Sequence, residues 1–283
     1  MFELIKAVLL GVVQGFAEFL PISSSGHLVL FSKFLDYENA GLMMNVAVHF
    51  GTLLAILVVF REDIKKMIFS LPKIYGFVCG GAKVKREEDE PGALALFIIV
   101  GSIPAAAIGI LFKHHFENMH DTVAPTCLAL LFTACFLWSS KYAKESKNLF
   151  FMTGLQAFII GMAQAFAIMP GISRSGATIV LAMWLGMNKE LSARFSFLLS
   201  IPVVFGASLL ELVGALKDSN QMGNNQLIEL LAGTVTAALA GYIAIKWMLR
   251  VIKNNQFSYF AIYCALVGGG VLALSYIKPE WFV

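Results

Sequence analysis

The stretch GVVQGFAEFLPISSSG, residues 11–26, ends an apolar run with a proline, three serines and a glycine. A shift of 150 residues places it on GMAQAFAIMPGISRSG, residues 161–176, and eight of the sixteen positions are identical. Apolar bias inflates matches between hydrophobic segments, but glutamine, serine and glycine are not inflated in that way. We therefore interpret the chain as an internal duplication, in which each half contains one copy of this motif.

Each copy lies in a region that is apolar, broken in its middle by Pro, Ser and Gly, and then apolar again. These regions are 4–35 and 149–187, and their second arms, 28–35 and 177–187, are only about ten residues long. A helix needs about 20 residues to cross the hydrocarbon core of a bilayer. The short second arms therefore predict two re-entrant hairpins rather than complete spans.

The composition identifies the solvent of this chain as a bilayer. Its 283 residues are 58% hydrophobic and 14% charged, with a mean hydropathy of +0.77. Soluble domains have about 25% charged residues. Segments with the alternating polarity of β-strands are not found, which favours a helical bundle over a barrel. The net charge of +3 gives no reason to expect a nucleic-acid partner.

The remaining apolar runs form two sets of three. The first set is 41–60, 93–113 and 124–139, and the second is 195–215, 227–249 and 258–277. Three is an odd number, so the second half must enter the membrane upside down relative to the first. We predict an all-α integral membrane protein with an inverted-topology repeat, in which each half (1–140 and 141–283) has one re-entrant helix hairpin plus three transmembrane helices.

The distribution of positive charge predicts the orientation. The polar stretch 61–92 is interpreted as a solvated connection, with room for a short amphipathic helix on the membrane surface. If it lies in the cytoplasm, fifteen of the 21 Lys and Arg residues lie on that side and five on the outer side. This excess agrees with the positive-inside rule, and both termini then lie outside.

A few ionisable residues lie in apolar surroundings at depth, where a charge is costly and usually functional. They include Glu18, His27, His49 and Arg174. Glu18 and Arg174 belong to different copies, so they share one pocket if the two hairpin tips meet. His49 has two open interpretations, a hydrogen bond between helices or a place at the border of that pocket.

Both hairpin tips have the composition of an anion site. Serine hydroxyls and free backbone N–H groups form a concavity that suits an anion, and glycine allows close backbone approach. A plain turn is the alternative interpretation. The guanidinium of Arg174 adds a planar fork that suits phosphate oxygens. The other residues expected at this anion site are Ser23, Ser25, Gly26, Ser173, Ser175 and Gly176.

The first hairpin also offers a metal site and a nucleophile. Gln14 and Glu18 are four residues apart and share one helix face, where oxygen ligands suit Mg²⁺ or Ca²⁺. His27 can act as a nucleophile or as an acid/base. Together these residues predict metal-assisted phosphoryl transfer inside a membrane. A transporter is the rival hypothesis, although a pure carrier needs no nucleophile; a scaffold role leaves the buried polar groups unexplained.

Two motifs resemble the signatures of a known family. GVVQGFAEFLPISSSGH (11–27) and PGISRSGAT (170–178) are similar to the two motifs of the bacterial undecaprenyl-diphosphate phosphatases, the bacitracin-resistance family. The first family motif is Glu or Gln, three residues, then Glu, which is here Gln14 and Glu18. RFSFLLSIPVVFGA and GSIPAAAIG also look like that family, so the resemblance covers essentially the whole chain.

The resemblance implies a substrate and roles for individual residues. The expected substrate is undecaprenyl diphosphate, and the expected products are undecaprenyl phosphate and inorganic phosphate. Glu18 would be the metal-linked acid or base. His27 and Ser24 are rival nucleophiles, of which His27 is favoured because imidazole attacks phosphorus without prior deprotonation. Arg174, Ser173 and Thr178 would hold the diphosphate.

The resemblance also implies a location and a cofactor. The family lies in the bacterial inner (plasma) membrane, with a site open to the outer, periplasmic side. It requires a divalent cation, Mg²⁺ or Ca²⁺. The oligomeric state stays open, with a homodimer as the arrangement considered.

Overall fold

The structure is a computed structural model that describes residues 2–35, 41–80, 90–112, 123–144, 152–218, 224–254 and 256–277. The elements within these ranges are helices, which confirms the all-α prediction. They are α1 (Phe2–Phe19), α2 (Ser24–Phe34), α3 (Gly41–Val59), α4 (Arg61–Gly80), α5 (Glu90–Leu111), α6 (Val123–Ser139), α7 (Gly154–Phe166), α8 (Arg174–Trp184), α9 (Lys189–Asp218), α10 (Asn224–Lys253) and α11 (Tyr259–Ile277), with a 3-10 turn at Ser140–Tyr142.

Six of these elements account for the predicted spans. By length and composition, α5, α6, α9, α10 and α11 can each cross a membrane. The sixth is α3, which passes the same test together with the first part of α4, across a bend of 79°. The prediction of a multi-pass helical membrane protein is therefore confirmed.

The first 20 residues of the segment 61–92, predicted as a solvated connection, form a helix. A 20-residue helix, α4, begins at Arg61, directly after the bend. Its pattern is amphipathic, because Ile64 and Met67 pack against the main hydrophobic core while Glu62 stays in solvent. The sharp bend takes α4 away from the direction of α3. The rest of the predicted connection, residues 81–89, lies outside the described residues.

Both regions predicted as re-entrant fold as a helix, a break and a second helix of 11 residues, namely α1–α2 and α7–α8. The same hydrogen bond begins each second helix. The hydroxyl of Ser23 accepts from the N–H of Gly26 at 3.2 Å, and the hydroxyl of Ser173 accepts from the N–H of Gly176 at 3.1 Å. Ser23 and Ser173 are therefore helix caps, a role that fits the plain-turn interpretation.

The hairpin of each half packs against a helix of the other half. Helix α1 packs along α10 of the second half, and α7 packs along α5 of the first. Glycines make both contacts possible. A Cβ on Gly11 would lie 2.5 Å from the carbonyl oxygen of Gly233, and a Cβ on Gly161 would lie 2.8 Å from the carbonyl carbon of Gly101. The halves are thus interlocked, and the division at residue 140 stays a prediction.

These packing helices extend the repeat beyond the hairpins. GSIPAAAIG (101–109) on α5 and GTVTAALAG (233–241) on α10 share four of nine residues. The distance from the hairpin glycine to this segment is 18 residues longer in the first half than in the second. The first half has α4 in that interval. We therefore interpret α4 as an insertion into an otherwise symmetric plan.

The outer faces of the bundle suit hydrocarbon. Large apolar side chains of α10 and α11 stay exposed, including Val235 (55%), Leu239 (62%) and Leu266 (71%). Inside, Phe19 and Phe197 meet edge to face with ring centroids 5.8 Å apart. An apolar exterior around a packed core is the arrangement that a bilayer solvates.

Candidate active site

The two breaks meet inside the bundle. Arg174 is the first residue of α8, and its Nη2 lies 2.5 Å from Oε1 of Glu18 near the end of α1. Both side chains are largely shielded from solvent, at 15% and 7% exposure. A second link joins the same elements, because the Ser175 hydroxyl donates to the carbonyl of Leu20 at 3.2 Å. The acidic hairpin and the basic hairpin therefore share one site.

The second carboxylate oxygen of Glu18 has its own donors. The hydroxyl of Ser24, the first residue of α2, donates to Oε2 at 2.6 Å. The Nε2 of Gln14, one helical turn before Glu18, donates to the same atom at 3.0 Å. The helix brings Gln14 to Glu18, and the break folds α2 back so that Ser24 reaches the same carboxylate. The buried negative charge is thus matched by one cation and two neutral donors.

The guanidinium of Arg174 has a hydrogen-bond donor that is not used. Its Nη1 is buried and has no hydrogen-bond partner among the described residues. A narrow cleft beside the ion pair is lined by Thr52 of α3 and Ser200 of α9, among others. An arginine fork and the positive end of the α8 dipole both favour negative oxygens. The arrangement can therefore receive one phosphate oxygen at Nη1 while Nη2 stays on Glu18.

His27 is buried and has partners on both ring nitrogens. Its Nδ1 lies 2.9 Å from the carbonyl of Ser23, which can only accept, so Nδ1 carries the proton. The hydroxyl of Tyr263 on α11 then donates to Nε2 at 2.8 Å, and the two rings are stacked with centroids 5.6 Å apart. An attack by His27 on phosphorus would require the loss of its hydrogen bond from Tyr263. The hydroxyl of Ser24, in contrast, already donates to the carboxylate of Glu18, which can accept its proton.

Three of the hydroxyls expected to bind diphosphate make hydrogen bonds within the protein. Ser173 caps α8, and its backbone N–H donates to Thr133 Oγ1 of α6 at 3.1 Å. Thr178 donates to the carbonyl of Arg174 at 2.9 Å and lies 2.5 Å from the hydroxyl of Ser196 on α9. Ser175 binds the first hairpin, as described above. These contacts hold α8 in place, so that Arg174 points at Glu18.

The sequence motifs do not indicate Tyr263 or Thr133. Each is a polar residue in an apolar span outside the two motifs. A hydroxyl on a spanning helix is a weak signal, because it often bonds its own backbone. Here each bonds a different element: Thr133 Oγ1 also donates to the carbonyl of Gly171, at 3.0 Å. Only the packing of distant helices reveals these partners.

Gln14 and Glu18, the residues expected at a metal site, can provide part of a set of metal ligands. The Oε1 of Gln14 is buried with no partner among the described residues, and it belongs to the side chain that contacts Glu18. No group of three or more His, Cys, Asp or Glu residues capable of holding a metal occurs in the described ranges. One carboxylate and one amide oxygen suit Mg²⁺ only if phosphates and water complete the shell.

His49 borders this site. Its Nδ1 lies 2.8 Å from the carbonyl of Asn45 on its own helix, and the ring is close enough to Glu18 to interact with it electrostatically.

The fold and the site define a class: a polytopic helical membrane protein with a duplicated broken-helix hairpin and one buried ion pair where the hairpins meet. The family model described as "Bacitracin resistance protein BacA" matches residues 7–270, so the chain belongs to that family.

Several curated relatives cover nearly the whole chain. A protein of Halothermothrix orenii named undecaprenyl-diphosphatase is 40% identical over 276 residues, which are 96% of this chain and 98% of the relative. A second undecaprenyl-diphosphatase, from Desulfatibacillum aliphaticivorans, is 37% identical over 96% of this chain and 99% of its own length. Undecaprenyl-diphosphatase 4 of Bacillus thuringiensis is 37% identical, with coverages of 96% and 97%.

Proposed function

We propose that this protein hydrolyses undecaprenyl diphosphate to undecaprenyl phosphate and inorganic phosphate. This reaction recycles the lipid carrier for peptidoglycan and other cell-wall polymers and gives bacitracin resistance. The family and the names of the relatives support the substrate. One observation carries the proposal: the buried Glu18–Arg174 pair, with Ser24 on the same carboxylate, lies where two hairpins meet inside an apolar bundle.

A lipid substrate explains why polar chemistry is buried in this bundle. Removing a 55-carbon chain from hydrocarbon costs about 0.8 kcal/mol per CH₂. The substrate therefore stays in the bilayer, and the protein brings its reactive groups to the diphosphate. The meeting point of two re-entrant hairpins does this without exposing unpaired backbone to lipid.

The geometry favours Ser24 as the nucleophile. Its oxygen attacks the terminal phosphorus, and its proton passes to Oε2 of Glu18, 2.6 Å away. The bond from that phosphorus to the bridging oxygen breaks, which releases undecaprenyl phosphate and leaves phosphoserine. Water then attacks the phosphoserine, releases inorganic phosphate and restores the hydroxyl. His27 remains the alternative nucleophile.

Arg174 stabilises the transferred group in this proposal. Its Nη1 has no partner among the described residues, so it can donate to an equatorial oxygen of the terminal phosphate without first losing another bond. Charge on those oxygens is what a phosphoryl-transfer site must neutralise. The Nη2 contact meanwhile keeps Glu18 oriented toward Ser24.

A divalent cation, Mg²⁺ or Ca²⁺, is part of the proposal. Gln14 and Glu18 would hold it, through the unpartnered amide oxygen and the carboxylate. When bound, it would neutralise charge on the diphosphate oxygens.

The location and the assembly are also proposals. The family resemblance is our reason to place the protein in the plasma membrane with a site that opens to the outer side. The excess of Lys and Arg favours an orientation with residues 61–92 in the cytoplasm. A homodimer is the assembly considered, and the oligomeric state stays open. A pure carrier for the same lipid would need the diphosphate site but not a serine hydroxyl held on a carboxylate, and for that reason we favour hydrolysis.

The test is phosphate release from undecaprenyl diphosphate by the purified full-length chain in detergent with Mg²⁺ or Ca²⁺. Ser24→Ala should lower kcat about 10³-fold. Ser32→Ala on the same helix is a matched control, because its hydroxyl donates to the carbonyl of Val29 at 3.2 Å and belongs to neither motif. No release by the wild type would overturn the proposed function. Near-normal release by Ser24→Ala would transfer the nucleophile's role to His27.

A further inference from the structure

A groove of about 460 Å³ opens on the side of the first hairpin that faces α10 and α11. This volume lies in the range of small-ligand sites, about 300–1,000 Å³. Its walls are apolar and rich in aromatic rings. They include Phe16, Leu20, Ile22, Trp247, Phe260 and Tyr263. The catalytic steps proposed above do not use this groove.

The groove and the active site share a wall. Leu20 and Ile22 line the groove and belong to the short break that joins Glu18 to Ser24. Tyr263 provides a second connection, because its ring lines the groove while its hydroxyl holds Nε2 of His27 at 2.8 Å. A molecule that fills the groove therefore contacts the break between Glu18 and Ser24.

The groove is also accessible from the hydrocarbon. Trp247 and Tyr263 are 46% and 41% exposed on the outer surface of the bundle. The ring of Trp247 meets Phe260 edge to face, with centroids 6.2 Å apart, which fixes one side of the groove. Rigid aromatic walls suit an apolar chain that is anchored at one end and continues into the bilayer.

We propose that this groove binds the isoprene units of the substrate that lie nearest its diphosphate. The inference rests on the proposed function, because it requires a prenyl diphosphate at the Glu18–Arg174 site. It adds a specificity site: the tail is recognised by Phe16, Trp247 and Phe260 rather than left in bulk lipid. It also makes Tyr263 a positioning residue that contacts both the tail and His27.

The first experiment compares two tryptophans with nearly equal exposure. Trp247 lines the groove and is 46% exposed, while Trp138 on α6 is 43% exposed and lines neither the groove nor the cleft. For each alanine variant, kcat/KM is measured with undecaprenyl diphosphate and with dimethylallyl diphosphate. We expect Trp247→Ala to lower the long-to-short ratio about tenfold, mainly through KM, and Trp138→Ala to change it less than about twofold.

The second experiment needs no variant. A non-hydrolysable prenyl methylenebisphosphonate, with a diazirine on its second isoprene unit, is photolysed with the wild-type protein in nanodiscs. Labelling should fall on peptides that contain residues 16–22 and 259–263. A phosphatidylethanolamine with a diazirine in its acyl chain is the comparison, and it should label these peptides far less. Equal labelling by both probes would make the groove an ordinary lipid contact and overturn the inference.

The two proposals fail in different ways. If the wild type releases phosphate from neither substrate, the proposed function is wrong. If the wild type turns over both substrates but Trp247→Ala and Trp138→Ala change the ratio equally, the function stands and the tail site is wrong.

Discussion

The two hairpins have the same architecture and different chemistry. In both, a glycine packs against the other half, a serine caps an 11-residue helix, and two serine hydroxyls lie 3.4 Å apart. Three of the positions that differ carry the proposed chemistry. Glu18, Ser24 and His27 of the first hairpin correspond to Ile168, Arg174 and Ala177 of the second.

This difference shows how a duplicated fold produces an asymmetric site. Shared residues build the caps and the close helix contacts, so they are constrained by packing in both copies. Residues at the meeting point are constrained only by each other. One copy therefore provides the carboxylate and the proposed nucleophile, and the other provides the cation, so that a carboxylate and a guanidinium face each other where the hairpins meet.

The largest expected effect comes from removing the cation that the second hairpin provides, Arg174. Arg174→Ala should lower kcat for phosphate release about 10³-fold, because the transferred phosphate loses its guanidinium. It also leaves Glu18 buried without a counter-ion, which typically destabilises a protein by about 3–5 kcal/mol.

A double variant separates these two consequences. Glu18→Ala combined with Arg174→Ala removes both charges, so the melting temperature should recover relative to Arg174→Ala while phosphate release stays abolished. Recovery of turnover in the double variant would show that the pair is a structural contact only.

A smaller effect should distinguish the two glutamines that the repeat places in register. Gln14 donates to Glu18, whereas Gln164 is buried with no partner for either amide atom among the described residues. Gln14→Leu should lower kcat/KM about tenfold and raise the concentration of Mg²⁺ needed for half-maximal rate.

The matched variant Gln164→Leu should behave in the opposite way. It replaces an unpaired buried amide with an apolar side chain of similar size, so stability should rise by about 1 kcal/mol and activity should stay within twofold. Thermal unfolding and phosphate release measure the two effects. A loss of activity equal to that of Gln14→Leu would mean that the second hairpin has a polar site of its own.

The smallest expected effect concerns the helix caps, which both hairpins share. Ser23→Ala and Ser173→Ala each remove one helix cap, and each should destabilise the protein by about 1 kcal/mol. Thermal unfolding of both variants measures this. A much larger loss at one serine would show that its hydroxyl does more than cap its helix.

Much of this arrangement could be predicted from the motifs. The repeat identified both hairpins, and the short second arms appear as α2 and α8, with 11 residues each. The helix α4 was underestimated, because its charged residues dominate the local composition while its apolar face depends on contacts with the core. The apolar run 195–215 also predicted α9 too short, because the helix begins at Lys189. Its first turn is polar and is capped by Asn188, whose Oδ1 accepts from the N–H of Leu191 at 2.8 Å.

The site was predicted less completely than the fold. The motifs provided Glu18, Arg174 and Ser24, but did not show that Ser24 rather than His27 lies on the carboxylate. The partner of His27 is 236 residues away in the chain, and the hydroxyl that holds the second break comes from α6. Local sequence contains no record of such pairs, because each member is an ordinary polar residue in its own helix.

The sequence alone determined the solvent, the helical class and the duplication, because composition and periodicity are local properties and a bilayer admits few structures. Tertiary structure decided which residues of the two hairpins touch. That choice depends on glycines that let α1 and α7 pack against the opposite half, and this packing brings Glu18 and Arg174 to 2.5 Å. Charges more than 150 residues apart in sequence become one site only through that packing.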